Sequence, residues 1–214
     1  MTIPKTDREY RDMVLRIVEG TEEKRVTGYA TTFDEPYLLW EDEDVRIFEE
    51  VDPHAFDETD MSDVIMQYDH RGRVFARVSN GTLTVAPDDH GLLTEADLGG
   101  TTLGGQVYEE IRGGYTNKMS FGFTVTGEEV LRSEEEGQKI TVTRRITKIG
   151  KLYDVSAVSL PANPGTAISA RTKEWCDGVI AQLAEECRES EAARHREEQR
   201  AQLAALLKEV KAHE

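Results

Sequence analysis

Met119-Ser120-Phe121-Gly122-Phe123-Thr124-Val125 alternates without a break. Met119, Phe121, Phe123 and Val125 fall on one face of a strand and Ser120, Gly122 and Thr124 on the other, because successive side chains of an extended chain point to opposite sides. Strand character also covers 13–18, 26–33, 64–68, 74–78, 82–85, 92–98, 140–146 and 152–160. Turn signals punctuate these runs at Asn80-Gly81, Asp88-Asp89-His90-Gly91, Glu136-Gly137 and Gly150. Two helices are predicted among the strands. One covers 53–59 and contains Ala55 and Phe56. The other covers 102–112, where Leu103, Val107, Tyr108 and Ile111 share a face and Gly113-Gly114 stops the run. Many short strands with few helices predict an α+β fold. Its expected form is a mainly antiparallel, β-barrel-like core with short flanking helices, followed by a long C-terminal helix.

The chain divides near Arg171. Beyond it there is no proline and a single glycine, Gly178. Trp175, Val179, Leu183 and Cys187 repeat every four residues; Leu203, Leu206, Leu207 and Val210 form a second stripe; residues 188–200 between them are almost all charged or small. The expected organisation is a body, 1–171, and a charged helix, 172–214, used for self-association or contact with a scaffold.

Formal net charge is -16, and the body holds 32 acidic against 19 basic residues. Such a surface repels phosphate backbones and anionic lipid, so neither nucleic acid nor membrane is an expected partner. No run of about 18 apolar residues is present to span a bilayer. Cys176 and Cys187 lack nearby histidines and are poor material for zinc. Glu41-Asp42-Glu43-Asp44 lacks the glycine and spacing of a calcium loop, and Gly99-Gly100 with Gly104-Gly105 lacks the Lys-Ser/Thr of a phosphate loop. No cofactor or metal is implied.

Nucleophilic hydrolysis needs a hydroxyl or thiol, a base in reach, and a group that orients the base. The scarce partner is histidine. His195 and His213 lie in the charged tail, His90 in a turn, and His54 beside Pro53 at a helix start. His70 ends the apolar run 64–68, at the rim of a core, a workable position for a base. Ser120 is the candidate hydroxyl, on the face opposite Met119 and Phe121, with Gly122 leaving room beside it for a substrate backbone.

Four stretches resemble the prohead maturation proteases of tailed phages, the assemblin-like serine proteases. They are Glu49-Glu50-Val51-Asp52-Pro53-His54-Ala55-Phe56, Tyr68-Asp69-His70, Met119-Ser120-Phe121-Gly122-Phe123, and the run from Leu152 to Pro164 with Asp154-Val155-Ser156-Ala157-Val158-Ser159-Leu160-Pro161-Ala162-Asn163. The resemblance covers roughly 14–171. It implies His70 as base, Ser120 as nucleophile and Asp154 as the orienting acid, where relatives often carry Glu. Asp69 is a rival for that last role. The loop 161–166, with Arg171, is the candidate source of oxyanion donors. The implied substrate is the major capsid protein or its scaffold segment, with self-cleavage, in the host cytoplasm inside the assembling procapsid. The alternative is a catalytically silent assembly scaffold that keeps the protease fold.

Overall fold

The alternating segment lies in β9 (Lys118–Ser133), which runs antiparallel to β10 (Ile140–Val158) for almost its whole length. The structure, a computed structural model, describes residues 9–20, 23–134, 139–159 and 170–212. Met119, Phe121 and Phe123 are fully buried, and the two phenylalanine rings stack with centroids 4.5 Å apart. Val155 and Ala157 of β10 join the same core, together with Met66, Leu92 and Leu98. Truncating one such phenylalanine to alanine typically costs about 3–5 kcal/mol, so this face anchors the body.

Around this pair stand β1 (Glu9–Ile17), β2 (Arg25–Thr32), β3 (Tyr37–Glu41), β4 (Val45–Val51), β5 (Ile65–Tyr68), β6 (Arg71–Arg77), β7 (Leu83–Pro87) and β8 (Gly91–Asp97). Their order is β3-β4-β10-β9-β1-β2-β8-β7, with β5 on β10 and β6 on β5. One edge of β10 serves two parallel partners. Ile140 to Ile146 pair with β4, and Asp154 to Ala157 pair with β5.

The expected barrel does not close. β6 and β7 would have to meet, and no ladder joins them. A 3-10 turn, Val78–Asn80, links them; at its mouth Arg77 N–H donates to Thr82 Oγ1 (2.9 Å) and Thr82 N–H to Arg77 O (3.2 Å). Pro87 of β7 has no N–H to offer, and Arg71 to Val74 of β6 are solvated. Proline and charge on an edge both discourage pairing. The two parallel pairings on β10 further depart from the expected antiparallel core.

The predicted helix at 53–59 is a chain of turns. Ala55, Asp57 and Thr59 N–H each donate to the carbonyl three residues back. The Ala55 carbonyl, which an α-helix would use, accepts instead from Ile149 N–H (2.9 Å) and Thr59 Oγ1 (3.3 Å). The strands read at 140–146 and 152–160 are one strand up to Val158, irregular between Ile146 and Asp154. Gly150 sits in that irregular part, where a Cβ would come within 2.6 Å of Thr126 Cγ2. The Glu136-Gly137 turn and the end of the second run lie outside the described residues.

α1 (Thr102–Arg112) has the predicted bounds. Thr101 Oγ1 caps it by accepting from Gly104 N–H at 2.9 Å. Val107 and Ile111 are buried, one turn apart. Gly104 lets the helix approach the sheet, since a Cβ there would lie 2.5 Å from Leu98 O.

The chain falls into two compact units, Met1–Lys173 and Glu174–Glu214. α2 (Ala170–Ala212) runs for 43 residues and supplies the second unit. The side chains of its second apolar stripe lie outside the described residues.

Candidate active site

β10 carries two polar residues on one face, Asp154 and Ser156, between the buried Leu152, Val155 and Ala157. Across the ladder Asp154 faces Gly122, and Ser156 faces Ser120. Directly paired residues present their side chains on the same side, about 5 Å apart at Cβ. Ser120, Asp154 and Ser156 therefore form one patch. Each is buried, with Ser120 1% and Asp154 2% exposed. The sequence places Ser120 on a face opposite the core; the structure adds that this face is covered.

The third strand of the site is β5, parallel to β10 on the side away from β9, with Gln67 beside Ser156 and Tyr68 beside Ala157. After Tyr68 the chain reverses in two residues, and Tyr68 pairs with Arg71. Asp69 (φ 48°) and His70 (φ 56°) both occupy the left-handed region. Positive φ at both central positions is the signature of a type I′ turn, whose twist matches its flanking strands. Asp and His tolerate that region better than most residues, at a cost of order 1–3 kcal/mol each. Several contacts hold the turn. Asp69 N–H donates to Ala157 O (2.9 Å), and its Oδ1 accepts from Ser159 N–H (2.9 Å) and Ser159 Oγ (3.1 Å). Gln67 Nε2 donates to Gly72 O (3.3 Å).

So held, His70 turns back along β10, and its Nδ1 lies 2.5 Å from Asp154 Oδ1. The same oxygen accepts from Ser156 Oγ at 2.9 Å. An ionised carboxylate only accepts, so Nδ1 carries the proton and Nε2 of the neutral ring keeps its lone pair. The imidazole is 18% exposed and the carboxylate 3%. Ser120 Oγ is buried and has no hydrogen-bond partner among the described residues. A buried, unsatisfied hydroxyl costs about 1–3 kcal/mol, and such groups concentrate where chemistry needs them.

The structure thus brings His70 and Asp154 into contact and sets Ser120 across the ladder from Ser156. Asp69 is committed to Ser159 and holds the turn. The other described histidines have other partners. His54 pairs with Asp57 (3.1 Å), His90 packs edge-on against Tyr29 (4.5 Å), and His195 contacts Gln199 (3.0 Å). The loop 161–166, the Arg171 side chain and His213 lie outside the described residues. Reading the sequence missed Ser156. Its signal was available, a polar residue two positions after Asp154 and therefore on the same face of a strand.

No curated protein and no solved structure matches the chain. A family description, caudovirus prohead serine protease, matches residues 11–177. That span takes in all three strands of the site, and the chain belongs to the caudovirus prohead serine proteases.

Proposed function

We propose that this prohead protease hydrolyses peptide bonds with Ser120 as nucleophile, His70 as base and Asp154 as the group that orients His70. The observation that carries this reading is the Nδ1–Oδ1 contact of His70 with Asp154, two residues along β10 from Ser156, which faces Ser120. Ser120 Oγ bonds to the scissile carbonyl carbon as its proton passes to His70 Nε2, and the carbonyl electron pair moves onto oxygen. Collapse breaks the C–N bond, and the proton leaves with the amine. Water then repeats the sequence on the acyl group, with His70 again taking and returning the proton. Asp154 stays ionised throughout and stabilises the imidazolium. Because Ser120 is buried, the face formed by β9 and β10 must be uncovered for a polypeptide to reach it.

The substrate is the scaffold segment of the major capsid protein, and the chain cleaves itself as well, inside the procapsid in the host cytoplasm. The body's excess of acid suits a basic scaffold surface. The helix 172–214 serves self-association or scaffold contact, because stripes as narrow as its own need a partner surface. Co-expression of the capsid protein with the wild-type chain and with Ser120→Ala tests the assignment. The variant is expected to lose processing and to melt no lower than wild type, since it sheds a hydroxyl that bonds none of the described residues. Normal processing by Ser120→Ala would remove Ser120 from the mechanism.

A further inference from the structure

Cations in the body mostly have carboxylate partners, as in Arg112–Glu109 (3.5 Å), Arg145–Asp52 (2.8 Å) and Lys148–Glu58 (2.8 Å). β6 breaks the pattern beside the base. Its Arg77 reaches Asp63 at 3.5 Å, but Arg71 and Arg73 have no carboxylate within ion-pair distance among the described residues. Arg71 Nε donates to the Asp69 carbonyl at 3.3 Å. Two solvated arginines left without acids are unexpected where the surrounding body carries 32 acidic against 19 basic residues.

Both line an open groove of about 660 Å³ between β6 and one face of α1. Phe75, Leu103 and Val107 give it apolar wall, and Tyr68 and Asp69 of the His70 turn form its end. Two acids also face it. Asp69 accepts from Ser159 at the end of the groove and Glu110 stands on the α1 wall, while the β6 wall itself carries the two arginines. Positive charge therefore prevails along β6.

We propose that this groove receives the substrate chain on one side of the scissile bond, and that Arg71 and Arg73 select an acidic side chain there next to an apolar one. The inference rests on the catalytic reading above. An extended peptide advances about 3.3 Å per residue, so a chain whose carbonyl lies at His70 sends a residue a few positions away into a groove that starts at the same turn. Guanidinium groups at such a site meet a carboxylate with paired N–H donors.

The test is retention of a library of synthetic random dodecapeptides on the full chain carrying Ser120→Ala, read by mass spectrometry. Peptides that combine acidic and apolar residues are expected to be enriched severalfold over basic ones. The bulk charge of -16 would give the opposite bias. Adding Arg73→Glu should lower that enrichment about fivefold, the scale of one solvated ion pair, and Arg73→Lys should keep most of it. No retention, no acidic enrichment, or an enrichment indifferent to Arg73→Glu overturns the proposal. Retention needs no catalysis, so a wild-type chain that fails to cleave sinks the catalytic reading by itself, while the peptide profile still decides the groove.

Discussion

The imidazole of His70 can take a proton only while Nε2 keeps its lone pair, and the Asp154 carboxylate secures that by holding Nδ1–H. Asp154→Asn removes the charge and lets the amide donate, which favours the wrong tautomer. It should lower kcat by about two to four orders of magnitude with little change in KM. On the proposed assignment Ser156, which donates to Asp154 Oδ1, is a positioning residue. Ser156→Ala should reduce kcat about tenfold at unchanged KM, since the lost hydrogen bond to a charged group is worth about 1.5–3 kcal/mol and is only partly spent on geometry. Ser156→Thr restores the hydroxyl and should recover much of the loss. Equal kcat for wild type and Ser156→Ala would assign Ser156 to packing alone. At this scale the three residues proposed for catalysis were readable from motif and strand phase. The left-handed backbone of Asp69 and His70 was not, because neither residue type demands it; the two-residue reversal between β5 and β6 does. Nor could strand phase distinguish a covered face from a wet one at Ser120.

Strands β3 and β4 escaped the sequence reading for a physical reason. The inward positions of β4 are Val45, Ile47, Glu49 and Val51, and a glutamate breaks the apolar alternation. Glu49 is nonetheless fully buried, because Arg144 Nη1 donates to it at 2.9 Å and Tyr37 hydroxyl also bonds it. Arg144 in turn reaches Glu128 on β9 (2.6 Å), so one guanidinium ties β4, β9 and β10 together. Such a network cannot be inferred from any one segment. The acidic run that follows β3 turns a hairpin instead of merely coating a loop, with Asp42 Oδ1 accepting from Asp44 and Val45 N–H. Helix α1 was legible because periodicity and glycine stop agree. The proposal for α2 belongs to this scale too. Removing residues 188–214 should leave hydrolysis of a short peptide intact and impair incorporation into procapsids. Loss of peptide hydrolysis on truncation would make the helix part of the catalytic body. Unchanged incorporation would end its role as a contact surface.

For the molecule as a whole, acid carries a defined penalty. Val45 and Asp44 N–H groups hold Asp42 below the usual carboxylate range; Lys151 and Ser62 do so for Asp60; Tyr29 hydroxyl, then His90 and Gly91 N–H, do so for Asp88. A depressed carboxylate adds stability above its unfolded pKa of about 3.9 and loses that contribution as pH falls through the folded value. These groups are exposed, so salt should weaken the effect. Thermal melting is expected to be insensitive to them from about pH 5 upward and to fall below about pH 4. A melting temperature flat from pH 5 to pH 2 would contradict the linkage.

The unpaired edge between β6 and β7 has a kinetic meaning. His70 rides on a hairpin joined to the rest of the sheet by the four-residue ladder of β5 on β10 and by the Asp69 contacts with Ala157 and Ser159. Had the ring closed, that hairpin would be clamped from both sides. As it stands, the solvated first half of β6 can loosen in a local fluctuation while the pairing of β9 with β10 survives. Amide protons of β6 should then exchange with solvent well before those at 119–123. Denaturant should extinguish hydrolysis at a concentration where the global unfolding signal has barely moved. The proposed base would then ride on a less cooperative strand pair than the proposed nucleophile.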